Sequence, residues 1–178
     1  MPQQNSPSQD EQQTARNIVL RQLAAAPKSR HQLTEKLLER DIPEDVIEDV
    51  LDRFEEVDLI DDASYAQMWV RSRHRSKGLA RRALGMELKQ RGINDDAAAD
   101  ALEQVTDEDE WVKAHELVRK KLSRATVPAS TDPKERQQRD RMVRRLVGML
   151  SRKGYSPGLA FSVVTDALNT DDIDYLDE

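Results

Sequence analysis

Catalysis needs a nucleophile, a tuned acid or base, or a bound ion, and this 178-residue chain offers few side chains for any of them. It has no cysteine, which excludes disulfides, thiolate nucleophiles and cysteine-held zinc or iron–sulfur centres. His31, His74 and His115 lie far apart, and none belongs to H-E-x-x-H or a comparable ligand spacing, so they read as partly exposed helical side chains. The six glycines, at 78, 85, 92, 148, 154 and 158, are scattered and form no phosphate-cradling loop. Carboxylates are plentiful but come in runs (Glu44, Asp45, Glu48, Asp49 and Asp52, then Asp107 to Glu110), which suit the solvated face of a helix rather than an acid–base pair. No catalytic residue, metal or cofactor is expected, and an enzyme is the least favoured class.

The chemical signal is instead a segregation of charge. Residues 35–62 carry a net −10, residues 71–91 a net +7, residues 92–110 a net −8 and residues 113–153 a net +9. The basic blocks are rich in arginine, whose planar fork suits phosphate and carboxylate. Two readings follow. Acidic and basic helices can neutralise one another at the surface, or the basic helices can line one side and present a surface for a polyanion or an acidic protein groove. Aromatic residues are only 4% of the chain, which argues against base stacking as the main contact, and Trp69 and Trp111 fall on apolar stripes as core residues.

The elements that position these blocks follow from apolar spacing. Val46, Ile47, Val50, Leu51 and Phe54 form one stripe on a 3.6-residue period, repeated by Ala97, Ala98, Ala101, Leu102 and Val105, and by Leu159, Ala160, Val163, Val164 and Ala167. The stripes belong to a longer repeat. Leu33, Leu37, Arg40, Ile42, Val46, Val50, Leu51 and Phe54 move forward by 51 positions onto Leu84, Leu88, Arg91, Ile93, Ala97, Ala101, Leu102 and Val105. A further 62 positions lead to Leu146, Leu150, Lys153, Tyr155, Leu159, Val163, Val164 and Ala167, the excess fitting an insertion near 124–137. Upstream, Ala15, Ile18 and Val19 correspond to Ala66, Trp69 and Val70 and to Ala114, Leu117 and Val118.

The spacing predicts three helices per unit: 12–25, 30–40 and 44–57; 62–76, 79–91 and 95–105; 109–123, 137–153 and 157–169. Ser29 with Gln32 forms a capping box, Pro43 sits at a first turn, and Gly92 and Gly154 stand at left-handed C′ positions where unit one has Asp41. The fold expected is all-α: three tandem three-helix repeats stacked into an elongated, curved array. The repeats span 14–61, 62–108 and 109–170, between a disordered N-terminal tail at 1–13 and an acidic C-terminal tail at 171–178. No apolar run is long enough to span a bilayer and the N-terminus lacks a signal-peptide pattern, so a soluble, cytoplasmic protein is expected, and a monomer because no repeat leaves an obvious spare apolar stripe.

The residues SRHQLTEKLLERDIPEDVIEDVLDRFEEVDLIDDASYAQMWVRSR (29–73), KGLARRALGMELKQRGI (77–93) and RLVGMLSRKGYSPGLAFSVV (145–164) resemble the RecX family of regulators of the RecA recombinase. Most telling are Ser29–Arg30 before Leu33, the Leu59–Ile60–Asp61–Asp62 turn followed by Tyr65 and Ala66, and Gly78 with Glu87–Leu88 and Arg91–Gly92–Ile93. The likeness covers residues 14–170. It departs at Asp41 and at Val57–Asp58, where the family favours glycine, and around 124–137.

The resemblance implies a non-enzymatic, modular protein that lodges in the groove of the RecA–DNA filament across protomers. It implies limits on filament extension, ATP hydrolysis, strand exchange and co-protease activity, and so on recombinational repair and the SOS response. The candidate contact residues are Arg71, Arg75, Arg81, Arg82 and Lys89, with Arg141, Arg144, Arg145 and Arg152, chosen because they cluster on second helices or just before them. Reversing Arg81 and Arg82 to Glu is expected to weaken inhibition and leave helix content intact. The alternative is a helical DNA-binding protein that acts without RecA.

Overall fold

The computed structural model describes residues 9–128 and 132–174, with side chains through residue 169. Among the described residues it is all-α: α1 (Gln9–Ala25), α2 (Arg30–Leu38), α3 (Glu44–Glu56), α4 (Asp62–Lys77), α5 (Arg81–Gln90), α6 (Asp95–Leu102), α7 (Asp107–Leu122), α8 (Pro133–Arg152) and α9 (Pro157–Asp174). Among the described residues no helix is long and apolar enough to cross a membrane. The repeat read from the sequence is visible as burial. Ala15, Ala66 and Ala114, and Val19, Val70 and Val118, are all fully buried, as are Leu37, Leu88 and Leu150.

Each second helix ends in the same way. The amide N–H groups of Ile42, Ile93 and Tyr155 donate to the carbonyls of Leu37, Leu88 and Leu150, and the residue before each donor, Asp41, Gly92 or Gly154, has positive φ. This is the Schellman closure, with its C″ apolar residue buried, and it bears out the expected left-handed C′ positions. Asp58 repeats the conformation after α3, with φ of 56°, so that the N–H groups of Leu59 and Ile60 both reach the Phe54 carbonyl. An aspartate in the left-handed region is strained more than glycine. Asp41→Gly and Asp58→Gly are each expected to stabilise the chain by about 0.5–1 kcal/mol, read as a rise in thermal midpoint. A fall at either position would show that the aspartate side chain makes up for the strain.

Helix starts were partly legible. The Ser29–Gln32 capping box forms in both directions, and Pro43 stands immediately before α3. Three helices begin earlier than expected. Helix α1 begins at Gln9, so residues 9–13 are helical rather than tail, while residues 1–8 lie outside the described residues. Helix α7 begins at Asp107 because Thr106 and Asp109 form a second reciprocal capping box. Helix α8 begins at Pro133 rather than 137, because the Asp132 carboxylate accepts the N–H groups of Lys134 and Glu135 at 2.6 and 3.0 Å and proline suits the first turn. Most of the expected insertion is thus loop and helix start, with residues 129–131 outside the description. Of the expected acidic tail, residues 171–174 continue α9 and 175–178 lie outside.

By packing, the chain divides into two compact units. One is built on residues up to Trp69 together with Glu87–Ala101, the other on Val70–Met86 together with residues from Leu102 onward. The cuts fall inside α4, α5 and α6, so the middle helices contribute segments to both units. The physical reason is size, since a repeat of some fifty residues buries too little apolar surface to close a core alone. In the first unit the core gathers Leu33, Leu37, Val46, Ile47, Val50, Leu51 and Phe54 against α1. In the second it gathers Leu146, Leu150, Tyr155, Val163 and Val164 against α7.

Candidate partner-docking surface

The second unit brings cations together from segments far apart in sequence. Helix α4 ends at Lys77 and Gly78 breaks it with φ of 62°. The turn after α8 then folds back against that end. The Tyr155 hydroxyl, buried, donates to the Gly78 carbonyl at 3.0 Å, and the Lys153 ammonium donates to the Lys77 carbonyl at 2.6 Å. A cation at a helix C-terminus meets carbonyls that lack helical partners and the negative end of the helix dipole. Helix α7 closes the other side. The resulting open cleft, about 280 Å³, is lined by Arg75, Lys77, Lys113, Lys120 and Lys153 with one acid, Glu116.

Lys113 pairs with Glu116 at 2.7 Å, so local neutralisation is partial. The crowding is felt by Lys153, whose ammonium is held below its ordinary range first by burial and then by the charges of Lys77, Lys121 and Arg73. A group of like charges with one carboxylate favours binding an anion, because an incoming phosphate or carboxylate relieves mutual repulsion. Burial likewise pushes the Tyr155 hydroxyl upward, so it remains a neutral donor.

Of the residues singled out by sequence, Arg71, Arg75 and Arg82 in the second unit and Lys89 in the first are exposed, as are Arg141, Arg144, Arg145 and Arg152 on α8. Only Arg75 lines the cleft. Arg81 is also engaged within the fold. Its backbone N–H donates to Glu110 Oε1 at 2.8 Å, and its guanidinium reaches the same carboxylate at 3.3 Å and also Asp107. Glu110 is only 8% exposed. These carboxylates, Glu110 first, raise the Arg81 pKa further. Arg81 therefore ties α5 to the first turn of α7, and its reversal would disturb folding as well as any surface; the Arg81 and Arg82 pair is not a clean test.

Lys77, Lys113, Lys120 and Lys153 join the cleft although they are not among the residues expected on or just before the second helices. Their only signal was the basic blocks themselves, since Lys77 and Lys153 are 76 positions apart. In the first unit Trp69 is half-buried but not merely core. Its indole N–H donates to Glu87 at 2.9 Å, the Arg91 guanidinium lies 3.6 Å from its ring centroid, and Tyr65 stacks on it at 6.0 Å. This clamp binds α4 to α5 within that unit and takes Arg91 out of the free basic surface. Trp111 does pack on the core of its unit, beside His115.

The chain as a whole has relatives among known proteins. Residues 15–54 match the family description "RecX, first three-helix domain", and residues 61–102 match "RecX, second three-helix domain". The Regulatory protein RecX of Thermobifida fusca is 47% identical over 160 residues, covering 90% of this chain and 82% of its own. That of Streptomyces coelicolor is 46% identical, covering 93% and 84%. That of Mycolicibacterium smegmatis is 39% identical, covering 86% and 79%. A crystal structure of regulatory protein RecX superposes with a TM-score of 0.71 at 27% identity, covering 88% of this chain and 74% of that one. A crystal structure of RecX from Lactobacillus salivarius is alike in fold, with a TM-score of 0.72 at 24% identity over 89% of this chain and 97% of that one.

Proposed function

This chain belongs to the RecX family of regulatory proteins, and from that premise we propose that it regulates RecA by seating in the groove of the RecA–DNA filament across more than one protomer. It limits filament extension, and with it ATP hydrolysis, strand exchange and co-protease activity, so that recombinational repair and the SOS response are restrained. It acts in the cytoplasm as a monomer, without catalysis. The observation that carries the reading, besides the family, is the cleft of five cations and one acid at the end of α4. A surface of that kind suits the anionic groups of a protein–DNA filament, and several modest contacts on separate helices add through effective concentration.

The test is RecA ATP hydrolysis on single-stranded DNA, titrated with this protein at physiological salt. The expected result is loss of hydrolysis at well below one molecule per RecA, because a protein acting at filament ends or across protomers need not match RecA one for one. A second reading, direct DNA binding without RecA, draws on the same cleft. It predicts duplex binding with a log–log salt slope of about −4 for about five phosphate contacts. Full ATP hydrolysis at stoichiometric excess, with such DNA binding intact, would decide for the second reading.

A further inference from the structure

Beyond the cleft, the second unit has a groove of different chemistry. It lies between the C-terminal turn of α7 and the second half of α8, with a volume of about 350 Å³. Its floor is Leu122, Ala125, Met142, Leu146 and Met149, and its rim is Lys121, Arg145 and Arg152, with no acid in the lining. Leu122 and Leu146 are core residues, whereas Met142 and Met149 are half-buried and pack on the core from its edge. Among the described residues no carboxylate pairs with any of the three rim cations, although the same protein pairs Arg30, Arg81 and Lys113 with acids.

We propose that this groove docks an acidic amphipathic helix of a partner protein. Groove and helix are complementary on two scales. Met142 and Met149 are seven residues apart on α8, about 10 Å along the helix axis, which matches two turns of a partner helix presenting apolar side chains at i, i+4 and i+7. Methionine is unbranched and polarisable, and so adapts to side chains of varied shape. The rim favours a partner helix that carries Asp or Glu beside its apolar stripe, since three cations with no carboxylate partner among the described residues repel a basic flank and gain no counter-charge from a neutral one. A phosphate backbone would satisfy the rim but leave the apolar floor uncovered. An apolar helix without acids would do the reverse.

The inference rests on the reading of the chain as a regulator directed at a protein, and it names the chemistry of one contact. The probe is a capped, fluorescein-labelled peptide of about 16 residues with leucine at helical i, i+4, i+7 and i+11 and glutamate at most other positions. It is titrated with the full chain and followed by anisotropy. Three controls share its length: a scramble that destroys the stripe, a version with lysine for glutamate, and single-stranded DNA. The acidic amphipathic peptide is expected to bind at least about tenfold more tightly than each control.

Arg145→Glu with Arg152→Glu, and separately Met142→Ser with Met149→Ser, are each expected to weaken that binding by about tenfold while the circular dichroism stays that of the parent. No preference over the scramble, equal binding of the lysine peptide, tighter binding of DNA, or no effect of either pair overturns the proposal. RecA inhibition measured on the same preparation separates the two ideas. Inhibition without peptide binding removes the groove and leaves the regulator, and peptide binding without inhibition does the opposite.

Discussion

Gly154→Ala is expected to be the most destabilising addition of one methyl group in the chain, costing roughly 2–4 kcal/mol and lowering the thermal midpoint by about 10 °C. Gly154 has φ of 92°, where a side chain is strained before any contact is considered. The added carbon would also lie 2.6 Å from the Ala83 amide nitrogen and 2.7 Å from its Cβ. Backbone atoms of a packed helix cannot step aside as the end of a lysine can. The same junction holds the hydrogen bond from the Ala80 N–H to the Lys153 carbonyl, so pushing α5 away would open a buried donor as well. Gly148→Ala is the internal control. Gly148 lies within α8, and its nearest neighbour would be the flexible end of Arg152 at 3.4 Å, so this change should be neutral or add about 0.5–1 kcal/mol through helix propensity. Equal melting of Gly154→Ala and the parent would refute the close packing of α5 on the α8 turn.

Arg75→Glu combined with Lys120→Glu should raise the concentration needed to inhibit RecA ATP hydrolysis by at least about tenfold and flatten its salt dependence. Both side chains are exposed, both line the cleft, and they come from α4 and α7, so the double change brings a net-positive cleft to neutrality from two sides. Neither takes part in the fold as Arg81 or Lys153 does, and surface reversals of this kind cost within about 0.5 kcal/mol of stability. The melting profile is therefore the control that separates a lost contact from a lost fold. Inhibition unchanged from the parent, with the cleft neutralised, would place the filament contact elsewhere on the molecule.

The surroundings of the C′ positions explain why aspartate is tolerated at 41 whereas 92 and 154 are glycine. All three sit in the left-handed region. At Gly92 an added Cβ would lie 2.4 Å from His31 Cβ, while the neighbouring Arg91 carbonyl accepts the hydroxyl of buried Ser29 at 2.7 Å. Gly154 faces Ala83 in the same way. Asp41 is exposed, so only its own backbone is constrained, and aspartate tolerates that conformation at modest cost.

What the sequence determined by itself is the set of helices, their order and their buried faces. Leu37, Leu88 and Leu150, or Val19, Val70 and Val118, recur at spacings that only a repeated helical packing can satisfy, because burial on a helix depends on position within a 3.6-residue turn and hence on sequence distance alone. The capping pairs and the C′ residues were legible for the same reason, since each acts within about five positions. The docking surface was not. Arginine or lysine reads identically in a sequence whether its head group is free, as at Arg75, stacked on Trp69, as at Arg91, or bound to a buried carboxylate, as at Arg81. Which cations converge depends on where helix ends meet, and the ammonium of Lys153 finds the carbonyl of Lys77 only after three helices have packed. Charge is a property of composition, but a site is a property of distance, and distances between remote residues exist only in the folded chain.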